Sequence, residues 1–177
     1  LNQIPDGSKL LITDANKIQP ATHQHIMNNT SKTPVLVTSG AKRLTKMPAA
    51  WKNKVDRTIT MGTKPGLKFD QTTITVKAGE HVKLVFNNND DMMHNIVITR
   101  PGTENVVGEA ATKLGLAGER VSYVPDSQDV LFYTRLLGPT EIETIFFVAP
   151  ERPGRYPYIC TFPGHYRVMQ GVMIVTK

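Results

Sequence analysis

Apolar positions along this chain fall into short runs, many with a period of two, separated by glycine, proline and polar turns. That pattern predicts strands more than helices. From Arg57 onward, runs at 58–60, 72–76 and 82–86 predict three strands, with Pro65-Gly66 and Ala78-Gly79 as the turns between them. Asn87-Asn88-Asn89-Asp90-Asp91 is a polar loop, and the apolar run 96–98 after it predicts the next strand, stopped by Pro101-Gly102. The stretch 106–116 is different. Val106, Val107, Ala110, Ala111 and Leu114 share one helical face, and Gly115 and Gly118 close it, which predicts a helix. Further strands are predicted at 130–137, 141–148, 156–160 and 171–176. Short strands broken by turns, with one helical insertion, predict an all-β fold: a two-sheet Greek-key β-sandwich.

Residues 1–55 follow a weaker pattern. Runs at 9–13 and 35–38 predict short strands, Thr22 is placed to cap a short helix over 23–28, and Pro48 to open a helical turn that contains Trp51. This is too little apolar matter for an independent core. The segment is therefore expected to pack on the sandwich as an extension, with Trp51, the only tryptophan, as one anchor. His23-Gln24-His25 in this polar stretch reads as a solvated pair more readily than as a metal site.

At 177 residues the chain is long enough for one domain with a self-sufficient core, or one domain plus an extension. No run of about 18 apolar residues is present to span a membrane, and no signal peptide is visible. The chain begins at Leu1, which reads as a processed or excised product. The net charge of +6 is uneven, because residues 1–56 hold eight lysines and arginines against three acids. That basic segment suits an acidic partner or an anionic membrane surface, or is a solvated basic surface with no partner. No nucleic-acid-binding motif or aromatic-interleaved basic stripe is visible.

The chemistry concentrates in Cys160-Thr161-Phe162-Pro163-Gly164-His165-Tyr166-Arg167-Val168-Met169. It holds the only cysteine, with a histidine and a methionine close behind. Taken singly, a lone cysteine is more often a small buried hydrophobe and a lone methionine core filler. Together, on one loop between two predicted strands, they read as metal ligands. Pro163-Gly164 turns the chain so that His165 returns beside Cys160. His94, at the start of the run 96–98, is the candidate for a second imidazole. Two histidines, a cysteine thiolate and a weak methionine suit copper cycling between Cu(I) and Cu(II) in a blue-copper electron-transfer site.

Cys-Thr-Phe-Pro-Gly-His followed after three residues by Met resembles the copper loop of the azurins, within the cupredoxin family. The likeness extends to Asp56-Arg57-Thr58-Ile59-Thr60, to Thr72-Thr73-Ile74-Thr75-Val76, to Asn95 after His94, and to Tyr123-Val124-Pro125-Asp126-Ser127. It covers about residues 56–177. The auracyanins are similar but carry one more residue between the histidine and the methionine, which makes azurin the nearer pattern. The resemblance implies one copper ion per chain, with His94, Cys160 and His165 as strong equatorial ligands and Met169 as the weak axial one. It implies that Asn95 holds the two ligand loops together and hydrogen-bonds the sulfur, and that Phe162 packs beside the site. Azurins have a glycine before the first histidine, whose carbonyl approaches the metal. Met93 stands there in this chain, so its carbonyl is the candidate for a weak fifth contact. Azurins also carry a disulfide that a single cysteine cannot form.

The resemblance implies a periplasmic or other extracytoplasmic one-electron carrier, not an enzyme, serving cytochrome or oxidoreductase partners. Partners are expected to dock on an apolar patch around His165, drawn from Met92, Phe162, Pro163 and Val168, with Arg167 adding charge at its rim. Copper reductases and oxidases place a histidine beside the cysteine, and here the neighbours are Ile159 and Thr161. The other readings are the electron-entry domain of a larger oxidoreductase and a copper carrier or storage protein. The latter would favour exchangeable ligands on a flexible segment.

Overall fold

A computed structural model describes residues 42–177. The elements expected at 9–13, 23–28 and 35–38, and the His23/His25 pair, lie outside the described residues.

The strands are β1 (Arg57–Lys64), β2 (Lys68–Phe69), β3 (Thr73–Lys77), β4 (His81–Asn87), β5 (Val97–Thr99), β6 (Val130–Tyr133), β7 (Ile142–Val148), β8 (Gly154–Ile159) and β9 (Gln170–Thr176). They form a four-stranded sheet in the order β2-β1-β4-β7 and a five-stranded sheet in the order β3-β9-β8-β5-β6. Two neighbouring pairs are parallel, β1 with β4 and β3 with β9, and the remaining pairs are antiparallel. Period-two alternation explains the two-sided burial. Val82, Leu84 and Phe86 of β4 point inward, as do Ile74 and Val76 of β3, while the residues between them face out. The inner faces meet in one core that includes Met61, Phe69, Phe86, Ile98, Leu137, Ile145, Tyr158 and Met173. This is the β-sandwich expected from the pattern.

The helical insertion is present but bounded differently. Helix α1 runs Glu104–Thr112, and a separate 3-10 stretch follows at Gly115–Val121. Gly115 takes φ +53°, a left-handed conformation that breaks the regular helix, so one helix over 106–116 is not formed. The buried face of α1, Val107 and Ala111, covers the outside of the five-stranded sheet, where Val107 packs with Val97, Val130, Ile159 and Tyr166.

The strand expected over 130–137 stops at Tyr133. At Thr134 the side chain takes over, its hydroxyl accepting the Ile96 N–H. The chain then swings so that Leu137 pairs with His94. β1 is longer than expected because Met61, Gly62 and Thr63 are buried at its end. β2, only two residues long, carried no readable pattern.

Within residues 42–55, Trp51 sits in a 3-10 turn over Ala49–Trp51 and is buried. Its ring stacks on His81 at 4.2 Å and meets Phe146 edge-on at 6.2 Å. Leu44 bridges to Phe146 of β7, and the Lys42 carbonyl accepts the Tyr133 N–H. Residues 42–44 thus pair with one edge of each sheet, β7 of the four-stranded and β6 of the five-stranded, which is one way of blunting edge strands. No helix among the described residues is long and apolar enough to cross a membrane.

Candidate metal centre

Two loops at one end of the sandwich build the site. The first follows β8. Cys160 directly follows that strand, and its N–H donates to the Met169 carbonyl at 3.1 Å, which fixes both ends of the loop. Inside it, the His165 N–H donates to the Phe162 carbonyl at 3.0 Å, and the Met169 N–H donates to the His165 carbonyl at 2.9 Å. Gly164 takes φ +83° between them, a conformation that glycine reaches without steric cost. The turn read from Pro163-Gly164 therefore brings His165 back to Cys160. The second loop joins β4 to β5 and carries His94. Its N–H donates to the Leu137 carbonyl at 3.0 Å, and the Leu137 N–H returns a bond to the His94 carbonyl at 2.8 Å.

The result is convergence. Cys160 Sγ lies 3.6 Å from Nδ1 of His94 and 3.6 Å from Nδ1 of His165. All three residues are buried, and their donor atoms lie within 4.8 Å of one another. A thiolate and two imidazoles bound to one first-row ion at about 2.0–2.3 Å would stand at about these separations. The soft sulfur and two imidazole nitrogens in an apolar setting also fit copper chemically. Met169 is fully buried in the same cluster as Cys160. Phe162 lies against His165, with ring centres 4.8 Å apart, and Tyr123 meets Phe162 edge-on at 5.5 Å. Met93 is half-buried beside His94.

Asn95 ties three pieces of chain together. Its Oδ1 accepts the Thr161 N–H at 2.8 Å, and its Nδ2 donates to Thr161 Oγ1 at 2.8 Å and to the Ser122 carbonyl at 2.8 Å. Asn95 thus links the loops that carry His94 and Cys160, and its tie to Ser122 has no counterpart in the sequence reading. Ser122 and Tyr123 both adopt left-handed backbone conformations, which non-glycine residues hold only at a cost. The Asn95 bond helps to hold that turn.

Burial dominates the electrostatics of the metal-free site. It pushes the Cys160 thiol up to about 12, partly offset by the backbone N–H groups of Asn95 and Phe162, which favour the thiolate. It lowers His165 to about 4, with the charge of His94 acting in the same direction. His94 is lowered too, again by burial, against an opposing pull from the Asp90 carboxylate. Sequence reasoning missed Asp90, whose Oδ2 lies 3.4 Å from His94 Nε2. The signal that could have found it is its position four residues before the histidine. Among the surface candidates, Met92 is 44 % and Val168 62 % exposed, and Pro163 and Arg167 are also exposed.

The comparisons agree with this chemistry. The profile of the family described as copper binding proteins, plastocyanin/azurin family, matches residues 55–176. Auracyanin-A of Chloroflexus aurantiacus is 37% identical over 121 residues, covering 67% of this chain and 74% of that protein. Azurin of Alcaligenes faecalis is 30% identical over 84 residues, covering 46% of this chain and 64% of that protein. The crystal structure of dithionite-reduced auracyanin from Roseiflexus castenholzii superposes with a TM-score of 0.63 at 33% identity, covering 70% of this chain and all of the other. The auracyanin-A likeness thus extends further along this chain than the azurin one, although the loop spacing had pointed to azurin. A difference of one residue in a loop says less than identity spread through the sandwich. The chain belongs to the plastocyanin/azurin family of copper binding proteins and is a blue-copper cupredoxin.

Proposed function

We propose that this protein is a one-electron carrier whose copper would be held by His94, Cys160 and His165, with Met169 as a weaker fourth donor. The observation that carries the reading is the placement of one buried sulfur 3.6 Å from two imidazole Nδ1 atoms. Copper bound there supplies a Cu(I)/Cu(II) couple. The residues supply rigidity. Cys160, His165 and Met169 are fixed by backbone bonds within their loop, His94 by its pair of backbone bonds to Leu137, and Asn95 bonds the two loops to each other. Ligands that need not move between oxidation states keep the reorganisation cost of each transfer low. Burial of Cys160, His94 and His165 keeps water and other ligands out.

The apolar residues Met92, Pro163 and Val168, with Arg167 near them, form the proposed docking face for a redox protein, and their exposure supports this. Small, weak interfaces suit carriers that must dissociate after each transfer. Met93 is proposed as a weak carbonyl contact and Phe162 as packing beside the site. The working location is proposed to be periplasmic or extracytoplasmic, in keeping with the family resemblance. The extension over 1–55 is proposed to be anchored through Trp51, which its stacking on His81 supports.

The test is an absorption spectrum with stoichiometric Cu(II), before and after ascorbate. An intense visible thiolate-to-copper band that bleaches on reduction is expected. A colourless protein with only a weak copper band would overturn the reading, because Cys160 would not then be a ligand.

A further inference from the structure

We infer that Asp90 is a positioning residue for His94, and that its carboxylate holds the reduction potential of the bound copper below the value the other ligands would set. The inference rests on the reading of His94 as a ligand.

The argument begins with the imidazole. Its Nδ1 faces Cys160 Sγ at 3.6 Å. A neutral imidazole that offers Nδ1 to a metal carries its proton on Nε2. Here Nε2 is buried and makes no regular hydrogen bond among the described residues. A buried N–H without an acceptor is costly. The group that faces it is the Asp90 carboxylate, with Oδ2 at 3.4 Å. That separation is somewhat longer than a formed hydrogen bond, so charge carries more of the effect than a short bond does.

The carboxylate is not there by accident of a loose loop. Asp90 Oδ1 accepts the Asp91 N–H at 2.7 Å, and the Asp90 N–H donates to Asn88 Oδ1 at 3.1 Å. Asn88 is fully buried and is itself fixed. Its Nδ2 donates to the carbonyls of Met92 at 2.7 Å and Leu137 at 3.0 Å, and its Oδ1 accepts from the Thr63 hydroxyl at 3.0 Å. Thr63 Oγ1 also accepts the Asn89 N–H at 2.8 Å. A chain of bonds thus runs from β1 through Asn88 to Asp90 and orients its free oxygen toward His94. The Asp90 side chain is only 14 % exposed, and no lysine or arginine among the described residues pairs with it.

A partly buried negative charge beside a ligand favours the more highly charged metal state and makes the imidazole a stronger donor. Both effects favour Cu(II) over Cu(I) and lower the potential. Loss of such an outer partner typically costs 10- to 100-fold in metal affinity.

The experiment compares Asp90→Asn and Asp90→Ala with a control, Asp91→Asn, which removes an equal charge from the exposed neighbour. Asp90→Asn is expected to keep the visible band and to weaken Cu(II) relative to Cu(I) by about tenfold, read as a rise in potential of about 59 mV. Asp90→Ala should rise at least as far, and Asp91→Asn by less than half as much. In the metal-free protein, NMR should show the His94 Nε2 proton protected from exchange, with protection lost in Asp90→Ala. Potentials unchanged in both Asp90 variants, or equal rises in Asp90→Asn and Asp91→Asn, would overturn the inference. If Asp90→Ala fails to fold, the near-isosteric Asp90→Asn decides. If the wild type gives no blue band, the electron-carrier reading fails instead, and the metal-free NMR still decides whether Asp90 holds His94.

Discussion

Gly108 of α1 leaves the space that the ring of Tyr166 occupies: a Cβ on Gly108 would stand 2.2 Å from Tyr166 Cδ2. Tyr166 directly follows His165 and is buried among Val97, Val107, Val130 and Ile159. The helical insertion and the ligand loop are therefore locked through one ring. Alanine would gain about 1 kcal/mol of helix propensity. The ring cannot easily retreat, and overpacking of this kind costs about 1–3 kcal/mol. Gly108→Ala should lower the melting temperature and alter the Cu(II) spectrum through the displaced ligand loop. An equal or higher melting temperature would show that Tyr166 is free to move.

Asn95→Leu removes three bonds at once. The Thr161 N–H and the Ser122 carbonyl lose a buried partner, at about 1–3 kcal/mol for each group left unpaired. The expected outcome is a marked loss of stability in urea and a site that takes up copper but exchanges it faster. Urea midpoints within error of the wild type would mean that water replaces the side chain without loss.

Met169→Leu exchanges a thioether for a hydrocarbon of similar volume in a fully buried position. Copper should remain bound to the other three donors, and the potential should rise, since a weak donor to Cu(II) is lost. Voltammetry decides this. An unchanged potential would mean that Met169 is not an axial ligand.

The metal-free protein should have a bounded pH range of stability. His165 is held near 4 in the fold, against about 6.5 in the unfolded chain, so the unfolded state binds more protons below 6.5. Stability is then lost as pH falls from about 6.5 to 4, by roughly 2–3 kcal/mol from this group alone. The lowering at His94 acts in the same sense. Cys160 behaves oppositely. Its thiol is raised to about 12 against an unfolded value of 9.0, so stability falls as pH rises through that interval. Melting temperatures of the metal-free protein should form a plateau between about pH 6.5 and 9. A profile flat down to pH 4 would contradict the burial of these imidazoles.

Trp51→Ala should cost about 3 kcal/mol, near the low end for a buried aromatic, because it removes both the stack on His81 and the edge contact with Phe146. Thermal unfolding measures this. A change below about 0.5 kcal/mol would mean that the residues around Trp51 are only loosely attached.

The loop of candidate ligands was legible because Cys160, His165 and Met169 lie within ten residues and one turn joins them. Local spacing there nearly determines spatial position. The strands were legible where one face is buried, as in β3 and β4, since alternation records which side meets the core. Legibility failed where meaning depends on distant chain. Asp90 looks like any loop acid until His94 is turned toward it. Glu143 looks like a solvent-facing strand residue, yet it points inward and is met by the Arg43 guanidinium and, at 2.7 Å, by the Arg135 N–H. The helix boundary failed for a local reason, because apolar spacing continues past Thr112 while the backbone tightens into 3-10 geometry.

The parallel pairing of β3 with β9 has a consequence for how the protein comes into being. Thr73 lies opposite Val172, a partner synthesised about a hundred residues later. β8 must lie between β9 and β5 before Cys160 can face His94. Contacts this far apart along the chain slow folding. The cysteine therefore spends the interval before closure as an exposed thiol, and copper that arrives early meets a single sulfur instead of a finished cage.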